Sequence, residues 1–336
     1  MPSTDLDVCH LGDVALQSGA TLRDARLAYR TYGRLNDARD NVVVMPTYYG
    51  GHHTDLEFMM TGGRALDPSR YFIIVPNMFG NGLSSSPGNS APPQDRAAFP
   101  HVTLYDNVMS QHRMVREHLG IAHVRLVVGF SMGAQQAFHW GALFPDMVDA
   151  IVPICGTART SPHNYVFLDG VKAALCADAA FRDGWYDTPP EKGIRAFGRV
   201  YAGWVYSQDF YREREHLKLG LDTVEDVMRA SETRYLQRDA NDLLAMLWTW
   251  QHADISRNST FNGDVHAALG AIRARAIVMP AATDLYFRVR DNEIEVANMP
   301  HAELRPIPTI WGHAAGRGLN PADNAFIDQG IRDALD

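Results

Sequence analysis

Five short, nearly continuous apolar runs limit what this chain can fold into: Val42-Val43-Val44-Met45, Tyr71-Phe72-Ile73-Ile74-Val75, Arg125-Leu126-Val127-Val128, Ala150-Ile151-Val152-Pro153-Ile154 and Ala276-Ile277-Val278-Met279. Runs of this length without polar alternation suit strands covered on both faces, the condition of a parallel sheet. Helical periodicity over 104–119, 132–144, 289–297 and 322–335 alternates with them, which predicts a doubly wound α/β fold with a mostly parallel sheet. Near the start, Val14-Ala15-Leu16 and Leu27-Ala28-Tyr29 flank Ser18-Gly19 and read as an antiparallel pair at one sheet edge.

The rhythm stops after Gly156, where helical segments at 166–175, 194–205, 224–235 and 241–250 replace strand-like runs. The expected organisation is a core of residues 1–156 and 264–336, interrupted by a helical insertion at 157–263. Trp185, Trp204, Trp248 and Trp250 fall in that insertion, so it is apolar enough to cover a pocket as a lid or to meet a second subunit. The Gly-, Ser-, Pro- and Asn-rich stretch 80–100 reads as a loop.

Composition narrows the function classes. Lys plus Arg number 31 against 39 Asp plus Glu, and the net charge of −8 comes with scattered basic residues, which disfavours nucleic acid and anionic membranes as partners. No apolar run approaches the roughly 20 residues needed to span a bilayer, and the polar segment 1–7 does not resemble an export signal. Cys9, Cys155 and Cys176 lack C-x-x-C spacing, which argues against a disulfide framework and a structural zinc site. A cytoplasmic protein is expected.

Gly129-Phe130-Ser131-Met132-Gly133 lies directly after the run Leu126-Val127-Val128 and directly before the helical 134–138. In a chain with 27 glycines the bare pattern says little; its strand-turn-helix setting says more. A serine at so sharp a turn adopts strained backbone angles, and flanking glycines let strand and helix approach. The hydroxyl is then exposed at the sheet edge beside a helix N-terminus, whose N–H groups can stabilise an oxyanion. The plain alternative is a tight βα turn with a capping serine.

A serine nucleophile needs a base held by an acid, and in this arrangement both follow later in the chain, acid first. Asp284, just past the run 276–279, and His313, in Trp311-Gly312-His313-Ala314, meet that order. Asp254, Asp291 and His301 compete for these roles; Asp291 and His301 rank lower, because Asp291 falls in a helical pattern and His301 precedes a strand-like 304–307. The oxyanion donors expected are the backbone N–H groups of Met132 and of Tyr48, the latter in the loop Pro46-Thr47-Tyr48-Tyr49-Gly50-Gly51. His52-His53 with Asp55 and Glu57 lacks metal-ligand spacing, so no metal is expected. Gly80-Asn81-Gly82 reads as a turn rather than a nucleotide loop, and Cys155 as a small buried hydrophobe.

Taken together, Leu27-Ala28-Tyr29-Arg30-Thr31-Tyr32-Gly33, the 129–133 turn, Thr157-Ala158-Arg159-Thr160-Ser161-Pro162, Arg238-Asp239-Ala240-Asn241, Thr283-Asp284 and Gly312-His313 resemble the homoserine O-acetyltransferase family of α/β hydrolases. The resemblance implies the α/β-hydrolase fold with an inserted helical lid, a triad of Ser131, Asp284 and His313, and a homodimer formed through the lid. Two features depart from the family's transferases. Asn77 to Pro87 replaces their Gly-Gly-Cys-x-Gly-Thr-Thr-Gly-Pro stretch, and Val205-Tyr206-Ser207 stands where they carry a carboxylate-binding arginine. Arg199, Arg212 and Arg214 are possible substitutes, and Tyr206 becomes a candidate substrate-binding residue. The chain is closer to the branch that hydrolyses short-chain esters. The expected function is a serine esterase acting on small acetate-type esters through an acyl-enzyme, without cofactor. The alternative is homoserine O-acylation from acetyl-CoA or succinyl-CoA, and a non-catalytic receptor on the same fold is the reading from another class.

Overall fold

The computed structural model describes residues 6–336, so residues 1–5 of the polar N-terminal segment lie outside it. Among the described residues eight strands form one sheet: β1 (Asp7–Ala15), β2 (Thr21–Tyr32), β3 (Val42–Val44), β4 (Phe72–Pro76), β5 (Val124–Phe130), β6 (Val148–Ile154), β7 (Arg275–Val278) and β8 (Ala302–Leu304), in the order β1-β2-β4-β3-β5-β6-β7-β8. The first two pairings, β1 with β2 and β2 with β4, are antiparallel; all others are parallel. The central strands are buried along nearly their whole length, as their unbroken apolar runs require.

Among the described residues ten α-helices accompany the sheet: α1 (Leu104–Arg113), α2 (Met132–Leu143), α3 (Pro162–Cys176), α4 (Glu191–Val205), α5 (Gln208–Arg212), α6 (Val224–Tyr235), α7 (Ala240–Gln251), α8 (Val265–Gly270), α9 (Val289–Val296) and α10 (Pro321–Leu335). Helices α3 to α8 fill the connection from β6 to β7, where the apolar rhythm stops. Five of these six starts are chemically marked: Ser161, Ser207, Thr223, Asp239 and Asp264 each accept a backbone N–H of the first turn.

Two expectations shift. The helix expected over 104–119 is regular only to Arg113; its last turn widens, with the Leu119 N–H reaching the Met114 carbonyl and the Ile121 N–H reaching that of Val115. The strand expected at 304–307 is centred earlier, on β8, because Pro306 has no N–H for a ladder; beyond it a single bridge joins Ile307 to Ala281.

The stretch expected as a loop at 80–100 is one, with turns at 87–89 and 92–93 and a short 3-10 helix at Arg96–Ala98. Its serines stand in for strand pairing along β2: the Ala28 N–H donates to Ser84 Oγ and the Arg26 N–H to Ser85 Oγ, both at 2.9 Å.

Candidate active site

Ser131 joins β5 to α2 with φ 59° and ψ −124°, a conformation that a non-glycine residue adopts only under constraint. The constraint comes from the neighbours. A Cβ on Gly129 would lie 2.2 Å from the Gly133 carbonyl group, and one on Gly133 would lie 2.6 Å from the Pro46 carbonyl oxygen, so strand, helix and the loop after β3 touch backbone to backbone. The Ser131 N–H donates to the Ile154 carbonyl at 2.9 Å, which ties the turn to β6.

Ser131 Oγ lies 2.9 Å from His313 Nε2, and His313 Nδ1 lies 2.7 Å from Asp284 Oδ2. All three residues are buried. A ring whose Nδ1 faces a carboxylate carries its proton there, which leaves Nε2 free to accept the serine hydroxyl hydrogen. Asp284 is itself held: its Oδ1 accepts the N–H groups of Tyr286 and Phe287 at 3.0 and 3.1 Å. The rings of Phe130, Tyr286 and Phe287 surround the imidazole, with centroids 4.7, 4.5 and 5.5 Å away, and keep bulk water from the chain of bonds.

These residues open on a narrow cavity of about 30 Å³ lined by Tyr48, Ser131, Tyr201, Val205, Tyr235 and His313, among others. That is room for about two water-sized groups. Tyr201 and Val205 come from α4 and Tyr235 from α6, so helices of the β6–β7 connection line the cavity with the serine. A larger cavity of about 540 Å³ lies elsewhere, lined by His139, Trp248 and Asp254, and includes none of Ser131, Asp284 and His313. Met132 is the first residue of α2, where an N–H has no intrahelical acceptor. Tyr48 lines the same cavity as Ser131, and its N–H makes no backbone hydrogen bond among the described residues.

Other expected residues fall outside this cavity. Tyr206 stacks on Phe210 at 4.0 Å and lines an adjoining cavity rather than the wall around Ser131. Among the arginines considered as carboxylate anchors, Arg199 pairs with Glu225 and Glu232, Arg212 pairs with Asp209, and Arg214 is exposed. Asp254 accepts from Ser256, Asp291 lies in the first turn of α9, and His301 is exposed beside β8. The ring of His52 bonds the Asn81 carbonyl and that of His53 bonds Asn77, so the two point to different partners.

Cys155 follows β6, and burial pushes its thiol well above the usual range, so it stays protonated. Its sulfur, Asp284 and His313 are, among the described residues, the one group of such side chains close enough to hold a metal ion, but the facing atoms of Asp284 and His313 are already bonded to each other. Sequence reasoning missed Arg234 and Arg317, which also line the cavity with Ser131. Only the position of Arg317, four residues after His313, hinted at this.

A family model described as the alpha/beta hydrolase fold matches residues 40–305. A probable esterase of Corynebacterium glutamicum is 39% identical over 328 residues, covering 96% of this chain and 93% of that protein. An ethyl acetate hydrolase of Pseudomonas veronii is 36% identical, covering 96% and 92%. A homoserine O-acetyltransferase of Chlorobaculum tepidum is 30% identical, covering 89% and 87%. The crystal structure of an acetylester hydrolase from Corynebacterium glutamicum matches with a TM-score of 0.95 at 36% identity, over 98% of this chain and 96% of that one.

Proposed function

The chain belongs to the α/β-hydrolase fold family, and from that premise we propose that it is a serine esterase hydrolysing small, acetate-type carboxylic esters. The observation that carries this reading is the continuous hydrogen-bonded chain from Ser131 through His313 to Asp284. Ser131 Oγ attacks the ester carbonyl while His313 Nε2 takes its proton, and Asp284 holds the ring and stabilises its charged form. The Met132 and Tyr48 N–H groups receive the developing oxyanion. His313 returns the proton to the departing alcohol, then activates a water that cleaves the acyl-Ser131 ester and releases the carboxylate. This route draws on no metal or organic cofactor. The narrow space beside Ser131 suits an acyl group of about two carbons.

The relatives whose names specify ethyl acetate and acetyl esters support the same substrate class for this chain. The loop at 77–87, which departs from the transferases' stretch, favours water over an amino-acid acceptor. Among the described residues no helix is long and apolar enough to cross a membrane. The proposal extends to a cytoplasmic protein that pairs with a second copy through its helical segment, where Tyr165 and Val166 of α3 are exposed. Acetate release from ethyl acetate, and CoA release from acetyl-CoA, each measured with and without L-homoserine, test the chemistry. Acetate release indifferent to homoserine and abolished by Ser131→Ala is expected; CoA release that requires homoserine and yields its acetyl ester would overturn the hydrolytic reading.

A further inference from the structure

Two arginines line the reaction cavity, and among the described residues neither forms an ion pair with a carboxylate. Arg234 belongs to α6, and Arg317 ends the short turn Gly312–Arg317 that carries His313. Both line the cavity with Ser131, and both line the adjoining one of about 170 Å³, so they stand in the wall the two spaces share. Both are half-buried. The neighbours of Arg234 are the phenols of Tyr48 and Tyr235, with Asp55 acting through space, and Asp55 lies 3.7 Å from a different arginine, Arg238. Among the described residues Arg317 makes no side-chain hydrogen bond or ion pair.

The contrast with the rest of the helical segment is informative. Arg195 and Arg199 share Glu232, and Arg199 also reaches Glu225, so carboxylates accompany arginines there when the role is structural. A guanidinium is always charged, and two of them half-withdrawn from water around one space repel each other unless an anion joins them. We propose that the ester substrate carries a carboxylate on its alcohol portion, and that Arg234 and Arg317 bind that carboxylate. This rests on the hydrolytic reading above.

Geometry selects the alcohol side. The leaving oxygen must meet His313 Nε2, the nitrogen that faces Ser131, and Arg317 follows on the same turn. The acyl side is confined near the Met132 and Tyr48 N–H groups. An alcohol of three or so carbons leaves the small cavity between Tyr201, Val205 and Tyr235 and brings its carboxylate to the shared wall, where a guanidinium offers two parallel N–H donors. Hydrolysis then adds water across the acyl carbon–oxygen bond and releases two anions, acetate and a short hydroxy acid.

The test compares 3-acetoxypropanoate with propyl acetate, which matches its shape without the charge. Wild-type kcat/KM should favour the anionic ester by about tenfold or more. Arg234→Gln and Arg317→Gln should each cut that ratio about tenfold, Arg317→Lys should retain more of it, and rising ionic strength should shrink it. A wild-type preference for propyl acetate, or a ratio that neither Gln variant changes, overturns the proposal. Calorimetric titration of the Ser131→Ala protein with 3-acetoxypropanoate separates it from the hydrolytic reading. Saturable binding lost on adding Arg317→Gln supports the anion site even if wild type hydrolyses neither ester, an outcome that would sink only the esterase assignment. Absence of binding overturns the anion site whatever the turnover.

Discussion

Asp284 shows how a single side chain is made dependable by its surroundings. One oxygen accepts a hydrogen bond from His313 Nδ1–H and the other accepts two from backbone N–H groups, so the carboxylate has a fixed direction. Asp284→Asn keeps the shape but lets the ring reverse its tautomer; esterase kcat should fall about 10⁴-fold, with the melting temperature nearly unchanged. Glu295 is a second buried carboxyl. It accepts the Ala158 N–H and the Asn292 side-chain N–H, both at 2.7 Å, and so anchors the segment whose Gly156 abuts Ser131 and Ala134. Burial pushes its pKa up to about 8 from an ordinary 4.5, against the pull of those hydrogen bonds. Between those values the folded state binds more protons than the unfolded one, so this group makes stability fall as pH rises through the window. Glu295→Gln should flatten that slope in melting curves recorded across the window, with about 1–2 °C gained at its upper end for each kcal/mol relieved. A slope identical to wild type would show that Glu295 does not titrate there.

The turn from β5 to α2 was legible because its chemistry is local. A serine bracketed by glycines between an apolar run and a helical run can do little else. The helical periods at 224–235 and 132–144 reappear as α6 and α2 within a residue or so, since an amphipathic face is written at a spacing the eye can follow. The closeness of the Pro46 carbonyl to Gly133 was not legible, because it depends on β3 and β5 being neighbours in the sheet. Gly133→Ala forces its Cβ against that carbonyl and displaces the loop bearing Tyr48. A loss of about 1–3 kcal/mol in denaturant unfolding is expected, together with a lower kcat.

The helices between β6 and β7 share one apolar cluster with residues flanking the site, among them Tyr49, Met132, Tyr286, Phe287 and Trp311, while the strands belong to two other clusters. Trp250 of α7 is fully buried and stacks on Phe287, with centroids 5.6 Å apart, while its ring meets Tyr286 edge-on. Those are the residues whose N–H groups hold Asp284. Trp250→Ala should therefore cost about 3–5 kcal/mol of stability and reduce kcat as well, read from urea unfolding and ester hydrolysis on the same preparation; a stability loss with kcat intact would uncouple the two. Sequence alone determined the strand and helix alternation, the turn at Ser131, and the order in which Asp284 and His313 follow it, because each is set by local periodicity or by motif order. Tertiary structure alone decided that Tyr206 faces the adjoining cavity, that Arg199 is spent on glutamates, and that Arg234 and Arg317 converge on the serine. Those outcomes depend on how α4, α6 and the turn after β8 pack, and residues 83 positions apart in the chain carry no local mark of a shared wall.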